Sequence, residues 1–277
     1  MAHIRCDFFS EVLGLSTSMS VILPQRAPSQ DASEAPVSTS TVAPPNPQVL
    51  YLLHGFTDDD TAWIRRTSIQ RYVSSLGLAV VMPQVHRSFY ADEIYGNKYW
   101  TFLSEELPEL VDGFFKVSSS REDTFVAGVS MGGYGAFKWA LRQPERFAAA
   151  ASISGSLGMA TRPRPGDPKK DLLDRIFGDT LIEGTNDDVG WLVQNFDQAA
   201  GQIAERPAGL SGIVMPQLYM CCGTEDNLIQ ENEKFLALAR RKGAPVTAGF
   251  GPGGHDWDYW DARIQDVLAW LPLRGRI

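Results

Sequence analysis

The sequence predicts a doubly wound α/β fold, a mostly parallel central sheet with helices on both faces and antiparallel strands at its N-terminal end. Three observations predict it. From Val49 onward, short apolar runs bounded by Gly, Pro, Ser or Asp alternate with stretches of helical periodicity. The runs are apolar at nearly every position, as strands covered on both faces must be. Ahead of them, residues 4–9 and 17–23 read as two short strands separated by a Gly-Leu-Ser turn region, an antiparallel start.

Taken in order, the main strands fall at 48–53 (QVLYLL), 78–83 (LAVVMP), 124–129 (TFVAGV), 148–154 (AAAASIS) and 216–222 (PQLYMCC). Helices are expected at 67–75, 103–116, 132–142, 228–242 and 259–270. The second of these carries Leu103, Leu107, Leu110, Val111 and Phe114 at helical spacing. There is no internal repeat. Residues 26–47 are dominated by Pro, Ser, Thr and Ala, a composition that cannot bury enough apolar surface to offset its ordering entropy. Only 25 residues precede it, too few for a domain, so it is expected to be a long mobile loop within one domain spanning residues 1–277. Residues 156–212 break the alternation; short helices around 170–177 and 188–203 are expected there, over the carboxyl edge of the sheet.

A chain of 277 residues can bury a substantial core without disulfides or metals. Its 25 basic and 33 acidic residues give a net charge of −8, with no basic stripe, which argues against nucleic acid and anionic membranes as partners. No run approaches the roughly 18 apolar residues of a membrane helix. Cys6, Cys221 and Cys222 make no disulfide framework, and the adjacent pair reads as core strand rather than metal site. With Met1 in place and no basic, apolar and small-residue leader, a soluble cytoplasmic protein is expected.

The chemistry concentrates in four places. Gly128-Val129-Ser130-Met131-Gly132 matches the pattern in which a strand turns sharply into a helix and presents a serine at the turn. A serine hydroxyl needs a base. Of the four histidines, His3 lies at the terminus, His86 among solvent-facing residues and His54 at a strand end, whereas His255 sits in a Gly-Gly-His-Asp loop before the last helix. The base needs an orienting carboxylate. Asp226, in Gly-Thr-Glu-Asp-Asn after the strand PQLYMCC, is favoured over Glu225 by its shorter side chain and its extra step into the turn. Its rival role is to cap the helix starting near Leu228. Asp256 and Asp258 are too close to His255 in sequence to orient it. Acyl transfer also needs oxyanion donors. The backbone N–H groups of Met131 and Phe56 are the candidates, with His54 expected to brace the Leu-His-Gly-Phe loop by hydrogen bonding.

YLLHGF, GVSMGGYGAFKWAL, CCGTEDNL and GGHDWDYWDARI together resemble the esterase D-like family of α/β-hydrolases, nearest its small tributyrin and acetyl esterases. The likeness includes Trp63 to Thr67 and Tyr99 to Pro108, and so runs over most of the chain. It implies an α/β-hydrolase fold with a Ser130, Asp226, His255 triad and an oxyanion hole from Phe56 and Met131. The long 26–47 segment departs from the family, which has a short connection there. The expected activity is hydrolysis of short-chain acyl esters by a serine carboxylesterase through an acyl-enzyme, with no cofactor, no metal and a small-molecule ester as partner. S-formylglutathione hydrolase or acetylated-sugar deacetylase activity is the enzymatic alternative, and an inert binding module on the same fold the other. Trp63, Trp257 and Trp260 lie beside the motifs and are candidates to line the acyl pocket. A homo-oligomer is left open.

Overall fold

The runs QVLYLL, LAVVMP and TFVAGV are buried at every position and form the middle of one eight-stranded sheet in the computed structural model of the chain. The structure describes residues 1–25, 45–159, 170–196 and 214–275. The strands are β1 (Ala2–Ser10), β2 (Leu15–Leu23), β3 (Gln48–Leu53), β4 (Leu78–Pro83), β5 (Thr124–Val129), β6 (Ala149–Ile153), β7 (Gln217–Gly223) and β8 (Val246–Gly251). Their spatial order is β1-β2-β4-β3-β5-β6-β7-β8. The β1–β2 and β2–β4 pairs are antiparallel and all others parallel. The expected fold class is the one found. The stretch 245–250, to which the sequence reading gave no element, supplies the last strand; its half-exposed alternation is what an edge position allows.

Because side chains alternate along a strand, each central strand feeds two cores. Tyr51, Leu53 and Val126 pack on one face with Phe137, Trp139 and Phe235. Leu50, Leu52, Phe125 and Val129 pack on the other with Trp63, Tyr259, Trp260 and Ile264. The chain leaves β3 toward β4 on one side, and β5 then joins β3 on the other. Strand order therefore reverses at β3, and the carboxyl ends of β3 and β5 flank the switch point where open α/β sheets place their ligands.

The helices refine the expectation. In place of one helix at 67–75 there are two short ones, α1 (Ala62–Arg66) and α2 (Ile69–Tyr72), separated by Thr67 in extended conformation. Thr67 Oγ1 bonds the Trp63 carbonyl and accepts the Ile69 N–H at 3.1 Å, ending one helix and starting the next. The helix expected at 103–116 begins earlier, as α3 (Tyr99–Thr101), and runs through a π-helical turn (Phe102–Glu106) into α4 (Leu107–Phe114). Pro108 has no N–H to offer the Ser104 carbonyl one turn back, and the turn widens there; Arg146 donates to that carbonyl instead, at 3.4 Å. α5 (Met131–Arg142) follows β5 as expected, and α6 (Lys170–Phe177) matches the expected helix at 170–177. α7 (Val189–Gln194) is shorter than the expected 188–203, whose end lies outside the described residues. α8 (Ile229–Lys242) stops at Gly243, whose φ of 74° is the left-handed conformation that closes helices. α9 (Trp257–Trp270) starts two residues early because Asp256 caps it, accepting the Tyr259 N–H at 2.9 Å. Most of the Pro/Ser-rich 26–47 segment lies outside the described residues.

Candidate active site at the carboxyl edge of the sheet

Ser130 sits between β5 and α5 at φ 54°, ψ −116°, a backbone conformation that non-glycine residues adopt only under constraint. The constraints are local. Its N–H donates to the Ile153 carbonyl at 2.9 Å, and its own carbonyl accepts from Tyr134 and Ser156, both at 3.1 Å. The two flanking glycines are needed for close approach: a Cβ on Gly128 would stand 2.4 Å from the Gly132 backbone, and one on Gly132 only 2.5 Å from the Leu53 carbonyl. β3, β5 and α5 thus meet in one tight corner, with the Ser130 hydroxyl above it.

His255 comes from the loop between β8 and α9, and Asp226 from the turn after β7. His255 Nε2 lies 3.0 Å from Ser130 Oγ, and His255 Nδ1 lies 2.8 Å from Asp226 Oδ2. The other Asp226 oxygen accepts the Leu228 N–H at 2.8 Å. Of the two roles weighed for Asp226 the orienting one is filled. The capping one is not, since α8 begins at Ile229 with Leu228 at its N-cap position and no side-chain cap, and the Asp226–Leu228 bond closes a turn ahead of the helix. Burial by itself would raise the Asp226 carboxyl; the bonds from His255 and from the Leu228 N–H, with Ser154 nearby, outweigh it and hold the group below its usual range. Glu225 is exposed and points elsewhere, accepting the Gly253 N–H. The Cys222 thiol beside Asp226 is pushed up to about 12, by burial first and by the carboxylate second, so it stays protonated.

The Leu-His-Gly-Phe loop is organised by His54, which is buried. Its Nε2 accepts the Val85 N–H at 3.2 Å, which leaves the proton on Nδ1, and Nδ1 donates to the Gly55 carbonyl at 2.7 Å. Burial lowers the His54 pKa and keeps the ring neutral. The Gly55–Phe56 peptide is trans, so its N–H points opposite to the carbonyl that His54 holds. Gly55 borders Ser130: a Cβ on it would lie 3.8 Å from Ser130 Cβ. Met131 opens α5, where the first N–H groups of a helix have no intrahelical acceptor and face its positive end.

The aromatic candidates separate. Trp257 is half-buried; Trp260 is nearly buried and stands edge-on to the His255 ring at 4.9 Å between centroids. Trp63 is fully buried, donates its indole N–H to the Leu53 carbonyl at 3.1 Å and packs edge-on against Trp257 at 5.2 Å. With no surface of its own to offer a ligand, Trp63 is a core residue and not a pocket wall. The sequence reading missed Glu225 as a loop clamp, and also Lys138, a fully buried lysine in α5 whose position inside the apolar run GAFKWAL was the available signal. Among the described residues no three His, Cys, Asp or Glu side chains converge as a metal site, and no helix is long and apolar enough to cross a membrane.

Residues 40–271 match the family described as "Putative esterase". The acetyl esterase of Caldicellulosiruptor saccharolyticus is 29% identical over 279 residues, covering 98% of each chain. Among solved structures, the substrate-bound fluorophosphonate-binding serine hydrolase F of Staphylococcus aureus superposes with a TM-score of 0.80 at 32% identity, covering 98% of both chains. The S-formylglutathione hydrolase FrmB of the same organism gives 0.77 at 33% identity, again over 98% of both chains. The match to the family covers most of the chain, and the chain belongs to that esterase family, as a carboxylic ester hydrolase of the serine type on an α/β-hydrolase fold.

Proposed function

We propose that the protein hydrolyses short-chain acyl esters through an acyl-enzyme formed on Ser130. The observation that carries this reading is the continuous relay from Ser130 Oγ to His255 Nε2 and from His255 Nδ1 to Asp226 Oδ2, at 3.0 and 2.8 Å. Asp226 accepts a hydrogen bond from Nδ1–H and so keeps the proton on Nδ1, which leaves the Nε2 lone pair facing the serine hydroxyl. Ser130 attacks the ester carbonyl as Nε2 takes its proton. Asp226 stabilises the resulting imidazolium. The oxyanion is held by the Met131 and Phe56 N–H groups, the second aimed by the His54–Gly55 bond. The imidazolium returns its proton to the departing alcohol. Water, activated by the same nitrogen, then releases the acid. No step in this cycle calls for a metal or cofactor.

One sheet carries all of these residues, which supports treating residues 1–277 as a single domain. The free thiols of Cys6, Cys221 and Cys222 suit a reducing, cytoplasmic compartment. A second reading, a thioesterase acting on S-formylglutathione, is favoured by the likeness to FrmB. Profiling acyl length on oxygen esters and thioesters, with fluorophosphonate labelling at Ser130, tests both. Turnover of acetyl to butyryl oxygen esters with loss of labelling in Ser130→Ala is the expected result. A strong preference for the thioester shifts the assignment to the second reading, and an unlabelled protein without turnover defeats both.

A further inference from the structure

Lys138 lies two turns along α5 from Ser130, and its side chain is fully buried. Its ammonium ion-pairs with Asp187, in the segment just before α7, and donates to the Tyr90 carbonyl at 2.7 Å. The Trp100 ring face lies 4.9 Å away. A buried ammonium is costly unless its donors are matched, and here the matching partners come from three separate parts of the chain. Tyr134, one turn before Lys138, adds a bond from its hydroxyl to the Asp187 carbonyl at 2.8 Å.

The stretch that Lys138 holds is itself constrained. His86, Phe89 and Tyr90 all have positive φ, at 50°, 49° and 52°. From Tyr90 the chain of contacts continues to the site. Its ring lies against Gly135, where a Cβ would come within 2.5 Å, and its hydroxyl donates to the His54 carbonyl at 2.9 Å. His54 in turn orients the Gly55 carbonyl.

We propose that the buried Lys138–Asp187 pair positions the oxyanion loop, fixing Tyr90 so that its hydroxyl holds His54 and, through it, the Gly55–Phe56 peptide. Lys138 and Asp187 are positioning residues, since neither touches the reacting atoms. This role rests on the reading of Phe56 as an oxyanion donor. It also ties the segment before α7 to the geometry of the donor, so that movement of one is felt by the other.

The test pairs Lys138→Met/Asp187→Leu with Tyr90→Phe in the full chain. Replacing both charges by apolar groups of similar size removes the buried pair together, a change often tolerated by a fold, and leaves Arg142, which also faces Asp187, with Asp92 as its remaining carboxylate. An oxyanion bond acts in the transition state and not on bound substrate. The expected result is a fall in kcat of at least about ten-fold with KM unchanged in the double variant, and a similar split in Tyr90→Phe. A purely structural pair would change Tm and leave kcat at 25 °C alone. A folded double variant with kcat within two-fold of wild type overturns the proposal. If the double variant does not fold, Tyr90→Phe decides by the same criterion. Fluorophosphonate labelling of the wild type at Ser130 separates the two levels: a wild type that is neither labelled nor active defeats the active-site reading, whereas a labelled, active wild type with an unaffected variant defeats only the positioning role.

Discussion

Glu225 grips Gly253 from both sides, accepting the Gly253 N–H on its carboxylate and donating its own N–H to the Gly253 carbonyl at 3.1 Å. The turn carrying Asp226 and the loop carrying His255 are thereby one unit. The backbone N–H of Gly253 holds the Glu225 carboxyl below its usual range. Glu225→Gln retains an acceptor for that N–H and is expected to lower kcat/KM only a few-fold. Glu225→Ala removes the acceptor, lets the His255 loop loosen and is expected to cost about ten-fold. Steady-state kinetics on a short-chain ester checks both, and a larger loss in Glu225→Gln than in Asp226→Asn would make Glu225 the orienting acid.

Ser130→Ala removes the proposed nucleophile and is expected to leave the corner of β3, β5 and α5 intact. Ester turnover is expected to fall by at least about a thousand-fold with an unchanged unfolding midpoint. Asp226→Asn is expected to lose about a hundred- to ten-thousand-fold, since the amide oxygen can still accept from Leu228 but cannot stabilise the imidazolium. Both are read from progress curves at high enzyme concentration together with thermal unfolding.

Acid should destabilise the fold in two windows. The folded-state pKa of His54 is lowered from 6.5, by burial first, so the folded state resists protonation while the unfolded chain does not. The stability it contributes is present above 6.5 and is lost as pH falls toward the lowered value. The Asp226 carboxyl, held below its ordinary 3.8, contributes stability that is present above 3.8 and lost as pH falls through the folded value. Unfolding midpoints measured from pH 8 to 3 should therefore decline in two stages. In His54→Gln the first stage should flatten; an unaltered first stage would assign it to another group.

Much of the site was legible in the sequence because its parts are local. The elbow needs a strand, two small residues and a helix within a short stretch, and 124–142 writes all of them. Asp226 and His255 each follow a strand edge, where the topology brings them to Ser130. The misses depend on pairs far apart in sequence. Nothing near Glu225 says that its acceptor duty lies at Gly253, and nothing near Lys138 names Asp187 or the Tyr90 carbonyl. Trp63 was misplaced for a related reason. Its closeness to the His-Gly-Phe motif is real, but a helical turn at Ala62–Arg66 faces it into the core, and periodicity over five residues is too short to show that.

That distinction gives opposite expectations for two tryptophans in edge-on contact. Trp63→Ala empties a fully enclosed site and frees the Leu53 carbonyl, so it should cost about 3–5 kcal/mol of stability. Trp257 keeps part of its surface exposed beside the His255 loop. As a wall of the acyl pocket, it would stop longer chains by contact. Each methylene adds about 0.8 kcal/mol while there is room to bury it, and meets steric cost once the room is used. In the wild type, kcat/KM is expected to peak at acetyl to butyryl esters and fall steeply by octanoyl. Trp257→Ala should move that peak to longer chains with a small change in Tm, while Trp63→Phe should leave the acyl profile where it was. An acyl profile that shifts with Trp63→Phe and not with Trp257→Ala would reverse the assignment, and a wild type whose activity climbs steadily through octanoyl would replace the closed pocket with an open groove.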